Sequence, residues 1–472
     1  MVFSSLEFLF FFLPLFLLIY YAVPFKLKNV VLLIASLIFY AWGEPVYILL
    51  LILVSLSGYL SGRLTEHFKG RKTPKRLVLI ISIIIDLGVL GFFKYSSLIA
   101  DTFTALTGFS LSFSAPSLPI GISFYTFQTI SYTADVYRGD IKAERSFPTF
   151  LTYIAMFPQL IAGPIVRYSL IEKELHSRTI DKSSIKTGLI RFSNGLFKKV
   201  LIADSLGSLW AVIKAASPAS LSALNAWLGI TAFTLQLYFD FSAYADMAVG
   251  LGSLMGFNYN ENFNYPLVSK SITEFWHRWH MSLSQWFRDY VYIPLGGSRK
   301  GTFRHIVNLL IVWALTGIWH GAGYNFLIWG LYYGIILILE KYIWKKALDK
   351  LPAVLRHIYS LFIIILGFGI FDLDSPDRFV PYFKALFLMA HNPLWDGSFF
   401  YNIINFKTVL IIALLLSAPV YPFITKKLER VTSQRLKAVL SLFSILLRLL
   451  LFVLAAAALV SSSYSPFLYF RF

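Results

Sequence analysis

Between residues 6 and 461 the chain repeats one pattern, a long apolar run followed by a short polar loop. Runs such as LEFLFFFLPLFLLIYYAV, VYILLLILVSLSGYL and LVLIISIIIDLGVLGFF meet or approach the ~20 residues that a helix needs to span a bilayer core. The pattern predicts spans near 6–23, 29–43, 45–62, 77–99, 119–136, 200–215, 224–254, 306–320, 324–340, 358–372, 405–424 and 439–461. Two stretches do not fit it. Residues 148–165 are interrupted by Pro158, Gly163 and Pro164, and residues 272–295 (SITEFWHRWHMSLSQWFRDYVYIPLGG and its surroundings) are too polar to face lipid. Broken or polar backbone is tolerated at membrane depth only inside protein or beside a water-filled cavity. Both are therefore expected to be re-entrant or funnel-lining. No inverted or tandem repeat of halves appears. The expectation is an all-α polytopic membrane protein, one integral-membrane domain over 1–472.

Loop charge orients the spans. The stretch 63–76 carries six Lys/Arg, 341–357 five, 425–437 five and 166–199 eight, whereas 101–118 carries none. The positive-inside rule puts the basic loops in the cytoplasm, and the parity then leaves both termini on the external face. Residues 166–199 read as interfacial helices, rich in Lys and Arg, that hold anionic lipid or share in holding a donor's phosphates. The first run is too long, and too poor in flanking positive charge, for a cleaved signal peptide.

Composition agrees: 57% hydrophobic, 14% charged, with a mean hydropathy of +0.68. The net charge of +18 is explained by cytoplasmic loops, so nucleic acid is not an expected partner; the lipid bilayer is. With no cysteine, disulfide, thiol-nucleophile and thiolate-metal chemistry are excluded.

Ionisable groups inside spans are expensive and point to function by default. Asp86 and Lys94 share one span, two helical turns apart, and read as an ion pair or as partners of other helices. Gln236 and Asp240 lie at i and i+4, as do Ser242 and Asp246. Each pair shares a helix face, fit either to orient a catalytic group or to tie helices together. Glu274-x-x-His277 resembles half of a di-iron motif, but the second Glu-x-x-His that such a site needs is absent, so no metal is expected. His280 and His320 each sit on an irregular segment. His320 ends a run of ~22 Å of helix, and GAG then breaks the chain before Asn325 and Trp329. A neutral imidazole takes a proton from a hydroxyl near physiological pH. There is no G-x-S-x-G elbow, Walker loop or dinucleotide fingerprint. These residues alone leave two readings open: a histidine-dependent membrane enzyme, or a transporter with a proton-relay histidine.

Five stretches carry a resemblance: PIGISFYTFQTISYTADVYRGD (119–140), FPQLIAGPIVRY (157–168), FDFSAYADMAVGLG (239–252), EFWHRWHMSLSQWFRDYVYIPLGG (274–297) and LTGIWHGAGYNFLIWG (315–330). In this order they resemble the membrane-bound O-acyltransferase family, and within it the branch that O-acetylates bacterial polysaccharides, alginate and peptidoglycan among them. The ending YSPFLYFRF also looks like that branch. A sibling branch that moves D-alanine to teichoic acid from a carrier protein shares the central motifs. The resemblance implies a ring of some 11–12 tilted helices around a thin centre pierced by a funnel. It implies His320 as catalytic histidine and His280 as the second histidine. Gln236, Asp240, Trp319, Asn325 and Arg288 complete the candidate substrate-binding set, and Arg288-Asp289-Tyr290 reads as structural or substrate-orienting. No tightly bound cofactor is implied. The donor would be acetyl-CoA or another acyl thioester, the partner a secreted or lipid-tethered esterase-like acetyltransferase, the acceptor a polysaccharide, and the location the bacterial inner membrane.

Overall fold

The computed structural model describes residues 1–109, 116–429, 433–461 and 467–468, and among these the regular structure is helical throughout. Eight of the described helices are long and apolar enough to cross a bilayer: Phe25–Gly43, Ile48–His67, Lys72–Thr107, Thr302–His320, Tyr324–Lys350, Ala353–Asp372, Gly397–Leu416 and Gln434–Ser461. Phe8–Ala22 is a shorter apolar helix. Their outer faces are lipid-like. On Gln434–Ser461, Leu442, Phe443, Leu446, Leu449 and Val453 are all exposed, as expected of a helix that is apolar all round and borders lipid.

Three expected spans have a different surrounding. The stretch 119–136 forms Ile122–Arg138, which is buried along nearly its whole length despite Ser123, Thr126, Gln128, Thr129, Ser131, Thr133 and Asp135. The stretch 224–254 forms Ala223–Met255, also buried almost throughout. The stretch 200–215 begins as a π-turn, Lys198–Ala203, and continues as the half-buried helix Asp204–Ala215. The centre of the protein is thus walled by helices that meet other helices rather than lipid.

Two boundaries shift for local reasons. The expected 77–99 span is one helix from Lys72 to Thr107, ended by Gly108 at φ 75°, where the absence of a Cβ permits the left-handed turn. The expected 405–424 span lies instead at Gly397–Leu416, because Asp396 starts it: its carboxylate accepts the Phe399 N–H at 2.8 Å, an N-cap.

The basic stretch 166–199 holds two helices, Tyr168–His176 and Lys182–Phe197. The second does more than lie at an interface. A Cβ on Gly250 would stand 2.8 Å from the Gly188 carbonyl oxygen, and a Cβ on Gly188 would stand 2.7 Å from that of Gly250. The two glycines let its backbone touch the central Ala223–Met255 helix, the small-residue contact by which membrane helices approach closely.

Both anomalous stretches are broken and lie in protein. In the first, Phe147–Ala155 breaks at Met156, makes one turn over Phe157–Leu160, and runs non-helically to Arg167. Its freed backbone groups have side-chain partners. The Phe157 N–H donates to Ser36 Oγ, the Ile165 N–H donates to Ser282 Oγ at 3.0 Å, and the Val166 carbonyl accepts from the Tyr153 hydroxyl. The second stretch is Ile272–Arg278, a break, Met281–Phe287 and a π-turn over Arg288–Tyr292. Glu340, from the π-turn that follows the 324–339 helix, caps it from outside. Its carboxylate accepts the Ile272 and Thr273 N–H groups at 2.6 and 2.9 Å and the Thr273 and Tyr359 hydroxyls.

Candidate active site

The break in the second stretch falls at His280, whose backbone stands at φ 43° and ψ 54°. A non-glycine residue adopts that left-handed conformation at a cost, and such residues gather at functional sites. Here the bend turns the imidazole inward, to 1% exposure. Asn262 fixes it. Its Oδ1 accepts the Ser282 backbone N–H at 3.1 Å and the Ser282 hydroxyl at 2.9 Å, and stands 3.2 Å from His280 Nδ1. The Ser282 amide identifies that atom as the carboxamide oxygen, an acceptor only. His280 Nδ1 must therefore carry the proton, and Nε2 is the basic nitrogen. In this tautomer a neutral His280 accepts a hydrogen bond or a proton at Nε2, and would polarise a carbonyl only after taking a proton.

His320 is the last residue of its helix and is 4% exposed. Three aromatic rings hold it edge-on: Trp319, Trp329 and Phe371, with centroids 4.9, 5.0 and 5.4 Å away. The ring is enclosed in protein and not set among lipid tails. The helix end beside it has its own caps. A helix leaves its last carbonyls without intrahelical donors. The Trp319 carbonyl accepts from the Lys94 ammonium, and the Ile318 carbonyl accepts from the Tyr95 hydroxyl at 2.6 Å. The Lys72–Thr107 helix thus fastens the backbone that ends in His320.

Trp319 joins the two histidines. Its indole is 4.9 Å from the His320 ring and 6.1 Å from the His280 ring. It continues a stack that runs through Phe127 (5.3 Å) to Trp286 (3.7 Å from Phe127, interplanar angle 2°). The Trp286 indole N–H donates to the Phe127 carbonyl at 3.0 Å. The stack ties the His320 helix to the His280 segment through the buried Ile122–Arg138 helix.

A cavity of about 910 Å³ leads to this place. Its outer part is lined by the exposed Lys270, Arg288, Lys341 and Lys345, and its inner part by the buried Trp276, His280, Trp313 and Thr316. It reaches His280; His320 is not among its lining residues. The Tyr290 ring meets two guanidiniums, those of Arg138 and Arg167, 5.0 and 5.1 Å from its centroid. Its hydroxyl donates to Asp135 at 2.7 Å, and Arg167 pairs with Asp289 at 2.8 Å. This lock holds the π-turn that carries Arg288.

The other candidate residues divide. Trp319 lies at the centre, and Arg288 at the mouth, its Nε 2.8 Å from Asp289. Asn325 is buried, and its amide donates to the Phe371 carbonyl at 2.7 Å, which sets the ring that packs on His320. Gln236 fills the space that Gly207 leaves open. Asp240 is taken up elsewhere: Oδ1 pairs with Lys199 at 2.8 Å and Oδ2 accepts the Leu468 N–H at 2.8 Å. Asp246 pairs with Arg191 and Lys198. Of the two readings open for these acids, both follow the helix-tying one. Asp86 and Lys94 do not form the ion pair considered for them; Lys94 turns to Trp319 and Ser123. Among the described residues no group of three or more His, Asp or Glu has metal-binding geometry. Sequence reasoning missed Asn262, Glu340 and the capping role of Lys94. The polar run FNYNENFNY after the central span was the available signal for Asn262.

Comparison with known proteins completes the picture. The model of the membrane-bound O-acyltransferase family matches residues 141–354, which include both histidines. The chain is 42% identical to a probable alginate O-acetylase of Azotobacter vinelandii over 84% of this chain and 80% of that protein. It is 38% identical to one from Pseudomonas putida over the full length of both. It is also 34% identical to a peptidoglycan O-acetyltransferase of Helicobacter pylori, over 82% of this chain and 80% of the relative. The helical membrane architecture and these relatives together make the chain a multi-pass member of the membrane-bound O-acyltransferase family, an O-acyltransferase.

Proposed function

We propose that this protein moves an acetyl group from a cytoplasmic thioester, acetyl-CoA, across the membrane for O-acetylation of an extracytoplasmic polysaccharide, by way of an esterase-like partner protein. The observation that carries the reading is the cavity that runs from a basic mouth to a buried histidine, itself joined through one indole to a second. The mouth includes Lys341 and Lys345, from the basic stretch 341–357 whose charge assigns it to the cytoplasm. Cations there suit the phosphates of a nucleotide thioester, and the apolar, tryptophan-lined interior suits its arm. The names of the relatives, two probable alginate O-acetylases and a peptidoglycan O-acetyltransferase, favour acetyl as cargo and a polysaccharide as destination.

In this mechanism His280, at the inner end of the cavity, orients the thioester. An acceptor hydroxyl enters from the external side. His320 as general base removes its proton, the oxygen attacks the acyl carbon, and the C–S bond breaks. The thiolate then takes the proton, so that ester and free thiol leave and the imidazole returns neutral. Orientation in a site closed to water supplies much of the rate. Trp319, Asn325 and Arg288 position the reacting groups, directly or through Phe371. The protein resides in the inner membrane of a bacterium, with both termini outside. The test is the acyl content of the surface glycans with and without the gene. Loss of O-acetyl ester on deletion is expected, and unchanged ester would refute the proposal.

A further inference from the structure

Lys94 is 7% exposed, in a helix that crosses the membrane. Its ammonium donates to the Trp319 carbonyl and, at 3.4 Å, to Ser123 Oγ. Among the described residues no carboxylate pairs with it. Asp86 is eight residues back, ~12 Å along the helix. Lys199, also deeply buried, has Asp204 and Asp240 at 2.7 and 2.8 Å. Taking a charge out of water is costly unless it is paired, and capping a helix end does not need one. The Tyr95 hydroxyl caps the adjacent Ile318 carbonyl while neutral. Helix-end dipoles do favour a cation here, but that gain is small beside the cost of burial. What balances the charge is therefore sought in the reaction. The residue that Lys94 caps, Trp319, lies beside both histidines, its ring centroid 4.9 Å from that of His320, 6.1 Å from that of His280 and 5.7 Å from the ammonium.

We propose that Lys94 is an electrostatic positioning residue for acyl transfer: it fixes the turn that presents His320 and supplies the positive charge that offsets the anion developing as hydroxyl attacks thioester. The inference rests on the acetyl-transfer reading above. Isolated membranes of the native host, given labelled acetyl-CoA, test it by the initial rate of transfer to envelope polymer per unit of folded protein. Lys94→Gln keeps an N–H donor for the Trp319 carbonyl and removes the charge; Lys94→Arg keeps both. The rate at saturating donor should fall about tenfold or more in Lys94→Gln, with donor KM within about twofold and unchanged thermal stability. Lys94→Arg should restore most of the rate. Lys94→Met serves as a second uncharged variant. A wild-type rate in either uncharged variant overturns the proposal. So does failure of both to accumulate, which would make Lys94 structural alone. Absence of transfer by wild-type membranes would instead defeat the reading of the reaction, whereas normal transfer by Lys94→Gln beside none by His320→Ala defeats only the role of Lys94.

Discussion

Asn262 Oδ1 lies 3.2 Å from His280 Nδ1 while it also accepts the backbone N–H and hydroxyl of Ser282, so one carboxamide sets both the tautomer of the histidine and the bend that carries it. Removing it should leave the ring present but misdirected. Asn262→Ala is expected to lower the transfer rate by roughly 10- to 100-fold, less than the roughly 100- to 10,000-fold attributed to a positioned general acid or base itself. The check is the initial rate per folded molecule beside that of His280→Ala. Equal rates in wild type and Asn262→Ala would show that the tautomer is set by something else.

Asp240 separates a structural from a substrate-binding role. Its carboxylate neutralises the buried Lys199 and holds the backbone of Leu468. Asp204 still pairs with Lys199 at 2.7 Å when Asp240 is removed, so the loss is one buried charge-assisted contact, about 1.5–3 kcal/mol. Asp240→Ala should therefore melt at lower temperature and accumulate less, while the donor KM of the folded fraction stays that of the wild type. A raised KM at normal stability would return Asp240 to the substrate site.

Glu144, in the loop between the Ile122–Arg138 and Phe147–Ala155 helices, gives a pH signature outside the spans. Burial pushes its carboxyl up. The Tyr168 hydroxyl at 2.6 Å, the Ser146 and Arg145 N–H groups and His176 outweigh that and hold it below its ordinary 4.5. A depressed folded-state value means that the stabilisation is complete above pH ~4.5 and fades as pH falls through the lower, folded-state value. Glu144→Gln should be destabilised by about 1–3 kcal/mol at pH 7, and the gap from wild type should close on acidification below 4.5. Parallel melting curves of the two proteins down the pH scale read this. A gap that widens toward acid would contradict the arrangement.

The buried contact between Gly188 and Gly250 offers a packing test. A methyl group at position 250 would stand 2.7 Å from the Phe192 nitrogen and 2.8 Å from the Gly188 oxygen, both backbone atoms. Gly250→Ala should cost about 1–3 kcal/mol through overpacking, measured as a lower denaturation temperature in detergent. An unchanged melting temperature would mean that the two helices separate without penalty.

Much of this protein could be read from apolar run lengths. Eight spans overlap the apolar runs, and the two interrupted stretches, His280 and His320 are where helix-breaking residues indicate. What hydropathy does not report is which neighbour a face meets. Ile122–Arg138 looks like a span, yet its hydroxyls and Asp135 lie among protein side chains. Lys94 and Asp86 lie on one helix face, but the partner of Lys94 is a carbonyl 225 residues away. Glu340, at the end of an apolar run, caps a helix 68 residues earlier. Such partners are set by tertiary approach, which leaves no periodic mark on a single sequence.

The most direct test of the account is His320→Ala, expressed at the wild-type level in the native host, with the ester-linked acetyl of the surface polysaccharide measured chemically. General-base catalysis at His320 predicts that the acetyl falls to the level of the gene deletion while the amount and thermal stability of the membrane protein stay unchanged. Acetylation at the wild-type level in that variant would contradict the central claim.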